Sequence, residues 1–416
     1  MSGLQPAMIV KAAVSALNKG NLPQAELLCR SLLDRGVEGP VIHEILGRVA
    51  SRVGSYELAL QHLTDSLKFN PSSQSALAEK RAVEEKVRAQ ATDASAHEER
   101  FLLIKAWGAG FWSDVDHVVG ALLVAELTGR IPVVHWSSQS LFSDGNRPNA
   151  FDNYFEPVSG YTIRDLIDDN YSYFPPKWST ENLEQDNINK FAGKYSRMAG
   201  MYHLNRPETV VVSDFHTSVY DLKHWIPRRH PLYGLDTESL YRHLFHRYLK
   251  VTPDIQAMIE NFRQEYPVGE GCLAVHARGG DKTEEFADND AFNVSYYKVI
   301  DQYLDRNPDL SIFLLTDSES ILKDYERRYA GRIVTTQCSR TDNAQGVHFR
   351  FRDDPVRIGR EVLLDTYIAA GCRYFVGSGR SNVSTAIVHL KEWYQNDYTL
   401  IGGNVSQERN LFLHNW

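Results

Sequence analysis

Cysteine is scarce. The four thiols, Cys29, Cys272, Cys338 and Cys372, lie far apart with no CxxC pair, which argues against a zinc knuckle or a thioredoxin-like site and reads as buried thiols. Long apolar runs are missing too. The strongest, Val115 to Leu127, is broken by Asp116 and His117 and falls short of the roughly 20 residues that a spanning helix needs. The first twenty residues lack a basic segment followed by an unbroken apolar one, so a cleaved secretion signal is not expected and the expected compartment is the cytoplasm. Nor is there an excess of positive charge. Lys and Arg number 45 against 53 Asp and Glu, a net charge of −8, which excludes a whole-surface field for nucleic acid or anionic lipid and leaves any anionic ligand to local cations. What is present is ordinary globular material, 43% apolar and 24% charged over 416 residues, enough for two or three domains.

The first ninety residues repeat. Gly20, Leu22 and Ala25 map onto Gly54, Tyr56 and Ala59, each 34 positions on. Small residues at Ala12, Ala13 and Ala16 fall opposite Leu46, Gly47 and Ala50, and the second unit ends at Pro71. This period resembles the tetratricopeptide repeat. Two repeats are fewer than such arrays need to stand alone, so the region is expected to dock on the rest of the chain or on a second copy. A capping helix is expected over 75–89 and a linker over 90–100. The region reads as a packing or homodimerisation module, or as a platform for a protein partner.

From Phe101 the pattern changes to strand and helix in alternation. FLLIKAW, a glycine turn at Gly108 to Gly110, an apolar-faced helix stopped by Gly129, and IPVVHW make a β-α-β unit. A less legible stretch over 137–205 reads as insertions and loops, and VVVSD at 210–214 resumes the strands. The second half is clearer: strands at 273–277, SIFLL, RIVTT and RYFVG alternate with helices at 296–304, 319–329, 356–370 and 382–393. The fold class expected is therefore α/β, with two Rossmann-like domains facing a cleft after an α-helical region. The divisions fall at 1–95, 96–268 and 269–416, and ligands are expected beyond the carboxyl ends of the strands.

Three strand ends carry the chemistry. His276, Arg278, Asp281 and Lys282, with Gly279 and Gly280 between them, combine cations with a backbone that a diphosphate can approach. Thr316-Asp317-Ser318 follows the second strand, where a carboxylate can accept from a base or ribose. Gly377 to Ser384, with Ser378, Ser381, Asn382 and Val383, is a Gly/Ser turn opening a helix, which presents free N–H groups to phosphate. Plainer alternatives exist for each: an Arg278–Asp281 ion pair, Asp317 as a helix cap, Ser381 or Asn382 as a helix cap. Asp288-Asn289-Asp290 has a DxD spacing that would suit a divalent cation on nucleotide phosphates.

Together GAGFWSDVDHVVGALLVAELTGR (108–130), YFEPV (154–158), VHARGGDK (275–282), LLTDS (314–318) and EVLLDTYIAAGCRYFVGSGRSNVS (361–384) resemble a fucosyltransferase superfamily. Its members include α1,6-, nodulation and protein O-fucosyltransferases. The resemblance covers roughly 100–416 and implies a GT-B fold and an inverting transfer from GDP-fucose to a glycan or protein acceptor without a metal or other cofactor. It implies that Arg278 holds the donor β-phosphate, with His276, Asp281 and Lys282 flanking it. Asp317 would contact base or ribose, and Ser378, Ser381, Asn382 and Val383 the phosphates and nucleoside. Gly108 and Gly110, with Asp114 and His117 following, would face donor and acceptor from the other lobe. Gly279 stands where α1,6-type members carry a second arginine, which leaves the acceptor linkage open. The general base is sought among Glu284, Glu285 and Asp114, with Glu285 preferred for its offset. The alternatives are a transferase for another nucleotide sugar and a catalytically silent nucleotide-binding scaffold that binds a partner through its repeats.

Overall fold

The computed structural model describes residues 5–92, 99–186, 191–266, 268–278, 289–341 and 353–407, without side chains at 90–92 and 289–294. Five helices come first: α1 (Pro6–Asn18), α2 (Leu22–Leu33), α3 (Pro40–Arg52), α4 (Tyr56–Phe69) and α5 (Gln74–Thr92). The 34-residue period is written into their starts. Pro6 and Pro40 open α1 and α3, where a missing N–H costs nothing. Gly20 and Gly54, at φ 76° and 83°, make the equivalent left-handed turns into α2 and α4. Ala25 and Ala59 are wholly buried between the helices, and at Gly47 a Cβ would stand 2.7 Å from Leu63 Cγ, so a side chain there would part α3 from α4. Helix α5 runs through 90–92, which the sequence pattern assigns to a linker.

The five helices dock on the α/β part. Arg30 donates to the carbonyl of His224 at 3.1 Å, Arg228 pairs with Asp65 at 2.8 Å, and Asn205 donates to Ser55 Oγ at 2.9 Å. The buried apolar residues of α1–α4 are continuous with those of the lobe behind them. The need of a short array for a neighbour is thus met within the chain.

Two parallel sheets follow. The first is ordered β2 (Ile131–His135), β1 (Phe101–Lys105), β4 (Val210–Ser213), β3 (Tyr173–Phe174). Strand β3 arises inside the stretch that reads as loops, because two residues pairing with Val210 and Val211 leave no periodic signature. Helix α6 (Phe111–Thr128) is buried along most of its length. One side covers the first sheet; the other meets the second lobe, where Trp112 Nε1 donates to Thr366 Oγ1 at 2.8 Å. Helices α7 (Val219–Leu222), α8 (Thr237–Tyr248) and α9 (Pro253–Glu265) lead to the second sheet. That sheet is ordered β7 (Ile333–Val334), β6 (Ser311–Leu315), β5 (Cys272–His276), β8 (Tyr374–Ser378), β9 (Tyr398–Ile401). Its helices are α10 (Asn289–Arg306), α11 (Glu319–Arg328), α12 (Pro355–Gly371) and α13 (Asn382–His389).

Other elements also differ from the sequence reading. RIVTT contributes only two paired residues, β9 is a fifth strand that the sequence reading does not contain, α10 runs over Asn289–Arg306 rather than 296–304, and α13 stops at His389 rather than Trp393. The cysteines are free, three buried and Cys338 partly exposed. Cys272 and Cys372, a hundred residues apart, are brought close because β5 and β8 are neighbours, and Cys372 Sγ donates to the Ile368 carbonyl at 3.6 Å.

Candidate functional site

Strand β5 is the pivot of the second sheet. The chain leaves it toward β6 on one side and later returns as β8 on the other, so the residues after these three strands surround a topological switch point, where open parallel sheets take their ligands. All the pairings are parallel, so the sequence segments ending in Arg278, Asp317 and Ser381 reach the same edge.

Arg278 and Asp317 meet there, Nε to Oδ2 at 3.8 Å, each side chain about a quarter exposed, at 26% and 25%. Asp317 does not cap α11; Ser318 does, accepting from Ile321 N at 3.2 Å. The Asp317 carbonyl instead accepts Thr341 N at 2.8 Å, and Cys338 Sγ lies 3.8 Å from the Thr316 carbonyl, which ties the loop after β7 to this edge. Below that loop Asp365 is buried against Thr336 Oγ1, 2.5 Å away, and desolvation pushes its pKa up to about 6.

The turn after β8 is built for close approach. A Cβ on Gly379 would fall 1.6 Å from the Gly403 carbonyl oxygen, so the segment after β9 lies directly on the turn, with Val405 N donating to Gly379 O at 2.7 Å. Ser378 Oγ shapes the turn by accepting Arg380 N at 3.2 Å. Ser381 is the N-cap residue of α13 but its side chain makes no capping bond. Its Oγ is buried and has no hydrogen-bond partner among the described residues. A buried orphan hydroxyl at a helix N-terminus is costly unless a ligand completes it. Asn382 opens the helix half-buried, and Val383 packs on the core, so any contact of Val383 with a nucleotide would come from its backbone.

Three expected site residues are placed differently. His276 is buried behind the edge, its Nδ1 2.7 Å from Ser384 Oγ on α13, and desolvation with the charge of Arg278 pushes it down to about 3; it holds β5 against α13. His117 is inside the first lobe, 3.3 Å from the Ser213 carbonyl through Nε2 and accepting Thr217 N at 3.1 Å through Nδ1; it fixes the loop after β4. Asp114 Oδ1 accepts Trp107 N at 3.0 Å, Gly108 N at 2.8 Å and Ala109 N at 3.4 Å, an oxygen committed to shaping the glycine turn rather than to taking a proton. Gly108 supplies that turn's left-handed residue at φ 77°, and the space at Gly110 is open. Asp281, Lys282, Glu284, Glu285 and Asp288 lie outside the described residues, as do the side chains of Asn289 and Asp290.

Among the described residues one buried group, His43, His62 and Asp65, has donor atoms close enough to hold a cation. The geometry satisfies it otherwise. Arg30 can only donate, so His62 Nε2, 3.3 Å away, accepts, and the ring proton sits on Nδ1, 3.3 Å from His43 Nδ1. Asp65 is held by Lys68 and Arg228.

Residues that sequence reasoning missed stand at the first sheet's edge. After β4, His216 Nε2 lies 2.9 Å from Asp116 Oδ2, whose Oδ1 accepts the Tyr241 hydroxyl at 2.5 Å. Tyr241 stacks on His389 of α13, ring centres 3.8 Å apart. The signal was present as a polar DFH ending a buried strand and a second aspartate in DVDH, but their convergence across 100 residues was not.

Fold and site together define an α/β protein with two parallel sheets, one carrying at its switch point a turn that opens a helix with a buried serine hydroxyl. No family model and no curated protein matches the chain. Solved structures similar to it include fucosyltransferase NodZ from Bradyrhizobium, at 17% identity and TM-score 0.47 over 70% of this chain and 92% of that one. A point mutant of Arabidopsis thaliana FUT1 with GDP gives 11% and 0.44 over 83% and 81%, and POFUT1 with GDP-fucose 13% and 0.45 over 75% and 100%.

Proposed function

We propose that the chain is an inverting glycosyltransferase of GT-B type that moves a sugar, fucose from GDP-fucose by its motif set, onto a hydroxyl of a glycan or protein. One observation carries the reading. Arg278, Asp317 and the orphan hydroxyl of Ser381, more than a hundred residues apart from first to last, converge on one switch point at the N-terminus of a helix. A nucleoside diphosphate fits that set. Phosphate charge meets Arg278 and the first N–H groups of α13, Ser381 Oγ donates to a phosphate oxygen, and Asp317 is placed to accept from a sugar or base. In the transfer the acceptor oxygen bonds to the anomeric carbon as its bond to the β-phosphate oxygen breaks, and Arg278 stabilises the charge that develops there. Lys282 would add a second cation, with no ion required.

The domain division follows: residues 1–95 as a tetratricopeptide-like module, 96–268 as the acceptor lobe and 269–416 as the donor lobe. Saturating GDP should raise the melting temperature, and Arg278→Ala should abolish that rise with the apo melting point held. Unchanged melting with GDP overturns the reading. Turnover should persist in excess EDTA; inactivation that Mn²⁺ reverses would move the phosphate site to Asp288 and Asp290.

A further inference from the structure

We propose, resting on the donor reading above, that His216 is the proton acceptor of the transfer, oriented by Asp116, which Tyr241 in turn holds. The loop that carries His216 is fixed. Thr217 N donates to the buried His117 ring, and a Cβ on Gly120 of α6 would strike the Thr217 carbonyl oxygen at 1.9 Å, so no side chain separates the loop from the helix. His216 keeps 21% of its side chain exposed and Asp116 16%, which leaves a route for the proton. Trp107, the first residue of the glycine turn, lies against the imidazole with ring centres 5.4 Å apart. Carboxylate, imidazole and turn thus occupy the carboxyl edge of β1 and β4, the switch point of the first sheet.

The second lobe reaches the same place. The segment that lies on Gly379 continues into 405–407, which packs on α7 just beyond His216. Ser406 Oγ stands 3.2 Å from His389 Nε2, and His389 carries the stack on Tyr241. One segment and one helix therefore connect the donor turn to the dyad.

The groups facing His216 are Asp114, Asp116 and His117 on α6 and Asp221 on α7, with Tyr241 on α8 and His389 on α13 reaching it through Asp116. Burial lowers the imidazole pKa, but the hydrogen bond and charge of Asp116, with Asp221 and Asp114, raise it above its ordinary value. A base of this kind follows the logic of an oriented carboxylate–histidine pair. The step balances with water as acceptor. The water oxygen bonds to the anomeric carbon, the bond to the β-phosphate oxygen breaks, GDP leaves with the electron pair, and the water proton passes to His216 and then to solvent.

The test uses the full chain, GDP-fucose hydrolysis as the probe reaction, and GDP-induced melting shifts as the independent reading of the donor site. His216→Gln should lower hydrolysis by about 100-fold or more, remove the acidic limb of the pH–rate profile, and leave the GDP shift intact. His216→Asn serves if the first variant misfolds. Asp116→Asn should move that limb to lower pH, because the carboxylate that raises the imidazole pKa is gone, and Asp116→Glu should move it back. A wild-type protein whose melting ignores GDP overturns the donor reading. A GDP shift with hydrolysis and acidic limb retained in His216→Gln overturns this inference alone. So do a GDP shift without hydrolysis by the wild type, and a His216→Gln loss that is equal at every pH.

Discussion

Ser381 shows how one side chain separates a structural role from a functional one. A helix-capping serine stabilises the apo protein and its removal costs about 1 kcal/mol. The Ser381 hydroxyl is instead buried without a partner among the described residues, so Ser381→Ala should leave the apo melting temperature unchanged or higher while weakening GDP about tenfold to a hundredfold, a net hydrogen bond to an ionised group being worth about 1.5–3 kcal/mol. Calorimetry of both proteins with and without GDP measures the two effects separately. Arg278 works by charge rather than packing, and Arg278→Ala should cost about 3 kcal/mol in the transition state, roughly a hundredfold or more in turnover. Gly379 is the reverse case, since a methyl group there meets backbone, not a movable side chain. Gly379→Ala should therefore destabilise the apo protein as well, visible as a lowered melting point.

At the scale of elements, the docked helical array decides what truncation can do. Two repeats alone leave open whether they dock on the rest of the chain or on a second copy. The structure joins α1–α4 to the lobe through one apolar cluster and through Arg30, Asp65 and Arg228. Removing residues 1–95 uncovers that face, so the remaining protein should melt lower and self-associate, while its affinity for GDP stays within a few-fold because the donor edge is built on β5, β6 and β8. Light scattering and GDP titration on one sample check both halves. A milder probe is Arg30→Ala, which removes the 3.2 Å ion-pair contact to the buried Glu26 and the donor to the His224 carbonyl. A loss of about 3 kcal/mol is expected in denaturant unfolding.

The whole molecule carries an acid liability. Burial pushes His117, His203, His276 and His389 down to about 3 and His135 to about 4, against an ordinary value of 6.5. Groups depressed on folding leave stability complete above the unfolded value and remove it as pH falls toward the folded one. Each unprotonated ring therefore subtracts about 1.4 kcal/mol per pH unit below 6.5. His216 has the opposite sign: its pKa is raised, so its contribution is complete below 6.5 and fades as pH rises through the folded value. These rings, with His43 and His62 also lowered by burial, outweigh one raised ring, and the melting temperature should fall steeply from pH 7 to pH 5. A flat profile there would contradict the burial of these histidines.

The sequence by itself determined what depends on neighbours along the chain. The 34-residue period, the alternation of strands and helices, and the strand-end segments holding Arg278, Asp317 and Ser381 are each set by local periodicity, turn residues and side-chain chemistry, and all are legible without coordinates. The two-residue strand β3 leaves too short a pattern, and it exists only because a longer strand pairs with it. Tertiary structure alone decided that Ser318 rather than Asp317 caps α11, that the Asp114 oxygen closes a turn, and that Asp116 and His216 meet. The reason is physical: a hydrogen bond of 2.9 Å depends on the packing of α6 against the loop after β4, and nothing in the spacing of 100 residues encodes that packing.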